Sequence, residues 1–183
     1  MNFKEFQEKV GEQKKSEWHQ HKNGGGWVNK EATTEKSAYI GENAIVFSGR
    51  VSGDARVFGN ARVSGNAWVS GNAQVSGDAR VFGDARVFGN ARVFGDARVF
   101  GNARVFGDAW VFGDAWKKSP LFIMGSWHSL TNCKHGFIKI GCHCKEIKWW
   151  QENYRDIGKK EGYTEAEIEE YGAYIELFAK VGK

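Results

Sequence analysis

Five cysteine and histidine side chains crowd a short stretch near the C-terminus: Cys133, His135, Cys142, His143 and Cys144. Thiolates and imidazoles are the ligands of structural zinc. Cys133, His135, Cys142 and Cys144 form the candidate set, brought together if the chain turns at residues 134–136. The spacing argues the other way, because C-x-H and C-x-C are not the usual ligand steps. Along a strand, Cys142 and Cys144 would share one side while His143 faced the other. Ordinary buried or partly exposed thiols are therefore the alternative to a structural zinc, and no other cofactor is implied. A Cys–His nucleophile would need a third group to orient the imidazole. None is evident, so no catalytic residue is assigned. His128, in Gly125-Ser126-Trp127-His128, reads as a turn or surface residue.

The second chemical group is arginine. Eight of the nine arginines lie between Arg50 and Arg104, whereas all 17 lysines lie outside residues 51–116. They alternate with phenylalanine, seven of whose 13 copies share one place in a repeat. Guanidinium groups interleaved with aromatic rings recognise anions and anchor protein interfaces.

What must position these groups is a six-residue repeat. From Val51 the chain reads VSGDAR, VFGNAR, VSGNAW and onward to VFGDAW, eleven blocks without interruption to Trp116. Degenerate blocks precede it, IVFSGR at 45–50 and the shorter IGENA at 40–44. The first-position valine suits a strand, and strand alternation turns it and the alanine two places earlier to one side. Positions six (Arg, Trp or Gln) and two (Phe or Ser) then point outward. Gly followed by Asp or Asn supplies a bend. Each block is a short strand and a corner, and three blocks close a turn whose Val and Ala are buried only when turns stack.

Residues eighteen apart therefore share a wall. We assign Arg62, Arg80, Arg98 and Trp116, with Phe94 and Phe112 alongside, as a protein- or anion-binding face. A second face carries Arg56, Arg92 and Trp110 with Phe88 and Phe106, and a third carries Trp68, Arg86 and Arg104. Asp78, Asp96 and Asp114 stack at a corner where they could pair with the arginine ladder. Two readings stand: the ladders bind a partner, or arginine stems covering stacked rings merely stabilise the coil. So much outward Phe and Trp is rarely left bare on a solvated monomer, which favours cover by another copy, with a dimer preferred, or by a partner protein. The alternative is that the ladders bind nucleic acid or a phosphorylated ligand, and direct nucleic-acid binding is disfavoured, because seven Arg and six Asp leave residues 51–116 nearly neutral.

The repeat resembles the hexapeptide family, the left-handed parallel β-helix. The resemblance implies a mainly β, three-sided solenoid wound left-handed. In detail the chain is similar to phage and prophage hexapeptide-repeat proteins, through Gly24-Gly25-Gly26-Trp27-Val28, the V-x-G-N-A array, and Gly125-Ser126 with Gly141-Cys142 in a small tail. That likeness suggests a phage-encoded inhibitor of a host defence factor. Many hexapeptide proteins are acyltransferases, which would place a histidine on the coil as general base. This chain has no histidine between residues 38 and 116, so an enzyme is not expected.

The ends complete the organisation. Residues 1–26 form a helical arm or cap, with Phe3, Phe6 and Val10 on one stripe and a glycine-rich break. Residues 27–116 form the β-helix. Residues 117–183, beginning near the single proline, form a small α+β unit: strands near 121–124, 129–131 and 137–140, then two helices. One helix carries Ile147, Trp150, Tyr154 and Ile157. The other carries Ile168, Tyr171, Ile175 and Phe178 behind a Thr164–Glu167 capping box. A net charge of +4 permits an anionic partner without demanding one. Three cysteines do not make a disulfide framework. No signal-peptide core follows Met1 and no run is long enough for a membrane span, so a cytoplasmic location is expected.

Overall fold

A computed structural model describes residues 1–182 of the chain. The repeat does what its pattern requires. Arg62 and Val63 lie beside Arg80 and Val81, which lie beside Arg98 and Val99, all in parallel and eighteen residues apart. Each valine from Val51 to Val111 and each alanine from Ala55 to Ala109 has no solvent exposure. The backbone groups pair between turns, as in Arg62 N–H to the Ala79 carbonyl (2.9 Å) and Ser64 N–H to the Val81 carbonyl (3.0 Å).

The corners also pair. Asp78 N–H donates to the Gly95 carbonyl at 2.9 Å, and an amide ladder runs outside them. Asn60 donates to Asp78 (3.1 Å), Asn66 to Asp84 (3.1 Å), Asn72 to Asn90 (3.2 Å) and Asn90 to Asp108 (3.0 Å). Corner glycine is needed twice over at Gly83: its φ is +70°, and an added Cβ would lie 3.1 Å from the Gly101 nitrogen. Left-handed backbone and close stacking leave no room for a side chain there.

Among the described residues the strands form three walls of parallel rungs. A seven-stranded sheet runs Trp18–Gln20, Trp27–Asn29, Ile45–Val46, Arg62–Val63, Arg80–Val81, Arg98–Val99, Ala115–Trp116, and only its first pair is antiparallel. One five-stranded sheet, the Tyr39 sheet, runs from Tyr39–Ile40 through Arg56–Val57, Gln74–Val75 and Arg92–Phe94 to Trp110–Phe112. The other, the Trp68 sheet, runs from Ala32–Thr34 through Gly49–Val51, Trp68–Val69 and Arg86–Val87 to Arg104–Val105.

The N-terminal helix packs against the first strands. Helix α1 (Phe3–Val10) starts with a reciprocal Asn2–Glu5 capping box, which satisfies two otherwise orphaned backbone donors. Its Phe6 is fully buried among Trp18, Trp27 and Ile45, with ring centroids 4.6 Å from Trp18 and 5.1 Å from Trp27. Ile45 stands where arginine stands in the next rung, so α1 covers the outer face of the seven-stranded sheet at its first strands. The Met1 ammonium pairs with Glu42.

The last rung breaks the pattern. Ala115 pairs with Arg98 and Trp116 with Val99, a one-residue slip. It follows Asp114, the one non-glycine residue with positive φ (+48°) among the described residues. A slip of one exchanges inside for outside: Ala115 is exposed and Trp116 is buried.

The chain divides into two compact units, residues 1–108 with 112–119, and residues 109–111 with 120–183. The second holds an antiparallel sheet ordered Phe122–Met124, Ser129–Lys134, Phe137–Ile140, His143–Glu146. Helices α2 (Ile147–Lys160) and α3 (Glu165–Val181) follow. Leu130, Ile138, Trp150, Tyr171, Ile175 and Phe178 form its core, and Trp150 Nε1 donates to the Ile138 carbonyl at 2.9 Å. Thr164 and Glu167 make the anticipated capping box. Among the described residues no helix is long and apolar enough to cross a membrane.

Candidate functional site: arginine and aromatic columns on the solenoid

Strand boundaries redraw the faces. Position two follows the valine directly, so it closes the strand that position six opened; Gly, Asx and Ala intervene before the next position six. Phe94 is the last residue of the strand Arg92–Phe94, and the Arg56 guanidinium lies 5.7 Å from the Phe58 ring on its own strand. Phe94 and Phe112, stacked at 5.3 Å, therefore belong with Arg56 and Arg92 on the Tyr39 sheet, not with Arg62, Arg80 and Arg98. Phe88 and Phe106, stacked at 5.5 Å, accompany Arg86 and Arg104 on the Trp68 sheet, not Arg92. The rings beside the Arg62–Arg80–Arg98 column are Phe82 and Phe100, stacked at 5.1 Å and nearly parallel.

One tryptophan leaves its assigned face, while Trp110 keeps its place at the end of the Tyr39 sheet. Trp116 is buried by the slip of its rung. Trp110 is half-buried and grouped with the second unit, where the Lys139 ammonium lies 4.2 Å from its ring centroid.

The Arg62–Arg80–Arg98 column itself stands as expected, with Arg80 and Arg98 exposed and Arg62 partly so. Its anticipated acidic partners do not engage it. Asp78 accepts from Asn60, and among the described residues no ion pair joins Arg62, Arg80 or Arg98 to a carboxylate. The lowest arginine meets α1 instead: Arg62 Nη2 lies 3.4 Å from the Lys9 carbonyl, and Lys9 Nζ donates to Asn60 at 3.1 Å. Open depressions flank the column. One of about 310 Å³ lies among Lys9, Asn60, Arg62, Asp78 and Arg80. The other, of about 400 Å³, lies among Phe47, Arg62, Ser64, Arg80 and Phe82, where Ser64 leaves a notch in the phenylalanine row.

The Trp68 sheet differs in chemistry. Arg50 and Arg86 sit 5.6 and 5.8 Å from the Trp68 ring centroid, one rung to either side, and Trp68 Nε1 donates to Ser52 at 3.1 Å. Guanidinium on an indole face is the strongest of the cation–π pairings. Trp68, Phe88 and Phe106 are 36–38% exposed, which makes this the wall with the most bare aromatic surface.

The cysteine–histidine set is dispersed. His135 and Cys142 are exposed beyond opposite ends of the strand Phe137–Ile140, which is about 10 Å long at the usual strand rise. Only Cys133 and Cys144 approach: burial, then a hydrogen bond with the Cys144 thiol, push the Cys133 thiol up from its ordinary range. Among the described residues no group of three or more His, Cys, Asp or Glu side chains is placed to hold a metal ion.

A better-defined constellation lies where sequence reading saw only a turn. Tyr171 Oη accepts from the backbone N–H groups of Trp127 (3.0 Å) and His128 (2.6 Å) and donates to the His128 carbonyl. Trp127 Nε1 donates to Glu167 at 2.6 Å, and Ser126 donates to Glu170. Both carboxyls are held below the usual range, chiefly by those side-chain donors. His128 Nδ1 lies 2.6 Å from the Tyr163 hydroxyl, whose pKa is pushed up, first by burial. Gly141 lies against the His128 ring, and a Cβ there would meet its Cδ2 at 2.7 Å. Gly125 and Gly141 thus both lie against His128, the first at its carbonyl and the second at its ring. The partners are 35 to 44 residues away in sequence, and no local pattern announces them.

Fold and walls together define a three-sheet parallel β-solenoid with arginine and aromatic columns on its outer faces. Its repeats match the model of the YdcK beta solenoid repeat at residues 55–71, 73–87, 85–99 and 97–113. That match covers less than a third of the chain and bears on the coil alone. No curated protein matches the chain, and no solved structure matches it.

Proposed function

We propose that the chain is a non-catalytic protein-binding scaffold whose solenoid offers the Arg62–Arg80–Arg98 column to an acidic surface of a partner protein. The observation that carries the reading is that column, three guanidinium groups on successive rungs that make no salt bridge to a carboxylate among the described residues. Like charges at strand spacing repel by about 1 kcal/mol per pair even in water, and an acidic partner turns that cost into attraction. Phe82 and Phe100 beside them add the apolar contact that hot spots combine with arginine. The array lacks a histidine that could act as general base, which is why the reading is not enzymatic. The resemblance to phage and prophage proteins suggests occlusion of a host defence factor as the biological form. Self-association belongs to the same proposal and is assigned to the Trp68 sheet, where Trp68, Phe88 and Phe106 are barest.

The test is affinity capture by the immobilised full chain and by an R80E/R98E variant, with and without nuclease. Proteins held by the wild type, released by salt, indifferent to nuclease and lost with the variant would support the reading. Retention abolished by nuclease would move the column to nucleic acid. Identical capture by both chains would remove the column from function. Phe88→Glu tests self-association, which should fall as a loss of dimer mass in solution.

A further inference from the structure

The second unit contains a cavity of about 60 Å³ that the arginine column does not involve. Its walls are Ile140, Ile157, Ile168 and Ile175 with the rings of Trp150 and Tyr154. At its mouth stand His128, His143 and Tyr163. Tyr163 is committed to His128 Nδ1. His128 Nε2 and the His143 ring nitrogens carry no hydrogen bond to another described residue, His143 meeting only the Trp150 ring edge at 6.3 Å. The mouth is built rather than loose, because Tyr171, Glu167 and Glu170 pin residues 126–128 onto α3. Beside it Trp127, 63% exposed, stacks on Tyr163 at 6.0 Å, an uncovered aromatic shoulder.

Size selects the occupant. The space is under half the roughly 150 Å³ that admits benzene, so it accepts an aliphatic group of a few carbons and no ring. A free molecule that small must repay its lost translational freedom from very few atoms. A side chain already tethered to a polypeptide shares that cost with the rest of its interface.

We infer that this cavity is an anchor site for one aliphatic side chain of the leucine, isoleucine or methionine type on a bound polypeptide. The neighbouring peptide groups meet the imidazoles of His128 and His143, and the segment crosses Trp127. The inference shares with the proposed function only the premise that the partner is a protein, and it concerns a different unit.

The experiment titrates the full chain with N-acetyl amino-acid methylamides while following the Trp150 indole N–H and the isoleucine methyl groups by NMR. Leucine, isoleucine and methionine amides should give saturable shifts. Alanine amide should bind more weakly by at least about tenfold, since each buried methylene lost weakens binding by about fourfold, and glycine amide should give none. Ile157→Phe fills the space from a half-exposed position and should abolish the shifts without lowering the melting temperature. His143→Ala should weaken every amide alike while leaving the side-chain ranking intact. No saturable shift, or shifts indifferent to Ile157→Phe, would overturn the inference. Isobutanol binding as tightly as the leucine amide would also overturn it, because the peptide groups would then add nothing. R80E/R98E should leave all these shifts unchanged, so failure here and failure at the arginine column are separately visible.

Discussion

The solenoid and the C-terminal unit reach burial by opposite means. Between Val51 and Val111 the interior places of the solenoid repeat are valine or alanine, each touching its copies one rung away, so the core is a repeated local solution. In the C-terminal unit Leu130, Trp150 and Phe178 are each used once and meet across dozens of residues. A repeated core localises damage to neighbouring rungs, as nearest-neighbour stacking predicts. A unique core spreads it. The same contrast governs the surfaces: the solenoid shows wide columns of one chemistry, and the C-terminal unit concentrates its polar detail around one small hole.

The largest test of that contrast is a pair of core substitutions. Val81→Asp places an unpaired charge at a fully buried position in mid-stack, and Phe178→Ala opens a cavity costing about 3–5 kcal/mol. Hydrogen exchange should show Val81→Asp deprotecting the rungs around residues 63–99 while residues 122–178 stay protected, several kcal/mol being lost. Phe178→Ala should deprotect the whole C-terminal unit and spare the rungs. Exchange rising uniformly in both variants would mean the units fold as one cooperative body.

Gly83→Ala should come next. Its left-handed backbone costs about 1–2 kcal/mol with a side chain, and Gly101 blocks relaxation. Urea denaturation should show a lower midpoint at unchanged slope. A smaller loss, about 1 kcal/mol by the usual worth of a hydrogen bond, is expected for Asn90→Ala, which breaks the amide ladder to both Asn72 and Asp108. If that variant matches wild type, the ladder is decorative.

The mildest probe is acid. Glu42, Glu167 and Glu170 have carboxyls held below their ordinary range, by the Met1 ammonium and by the Trp127 and Ser126 donors respectively. A depressed folded pKa contributes stability that is present at neutral pH and lost as pH falls through the folded value. Below about pH 4, exchange should rise at α1 and at residues 126–128 while the mid-stack valines stay protected. Valine rungs opening first would contradict the assignment.

Much of this was legible beforehand. The six-residue period dictates which residues are inside, because burying Val and Ala is the one arrangement every block can satisfy together. The helices around Trp150 and Phe178 followed from spacing and from the Thr164–Glu167 pair. The grouping of phenylalanines with arginines was also readable, since a lone valine separates Arg92 from Phe94 and the Gly-Asx bend parts Phe88 from Arg92. Other features carried no local mark. Trp116 completes a perfect VFGDAW block and still turns inward, because the rung slips by one residue after Asp114. Where residues 3–10 pack was decided by Trp18, Trp27 and Ile45 offering an apolar bed. The mouth of the small cavity is held by Tyr163, Glu167, Glu170 and Tyr171 acting on residues 126–128 from far along the chain. The sequence by itself determined what repeats, since a period constrains every copy at once. The tertiary structure alone decided what occurs once: where the stack stops, what covers its first rungs, and which distant side chains meet around His128.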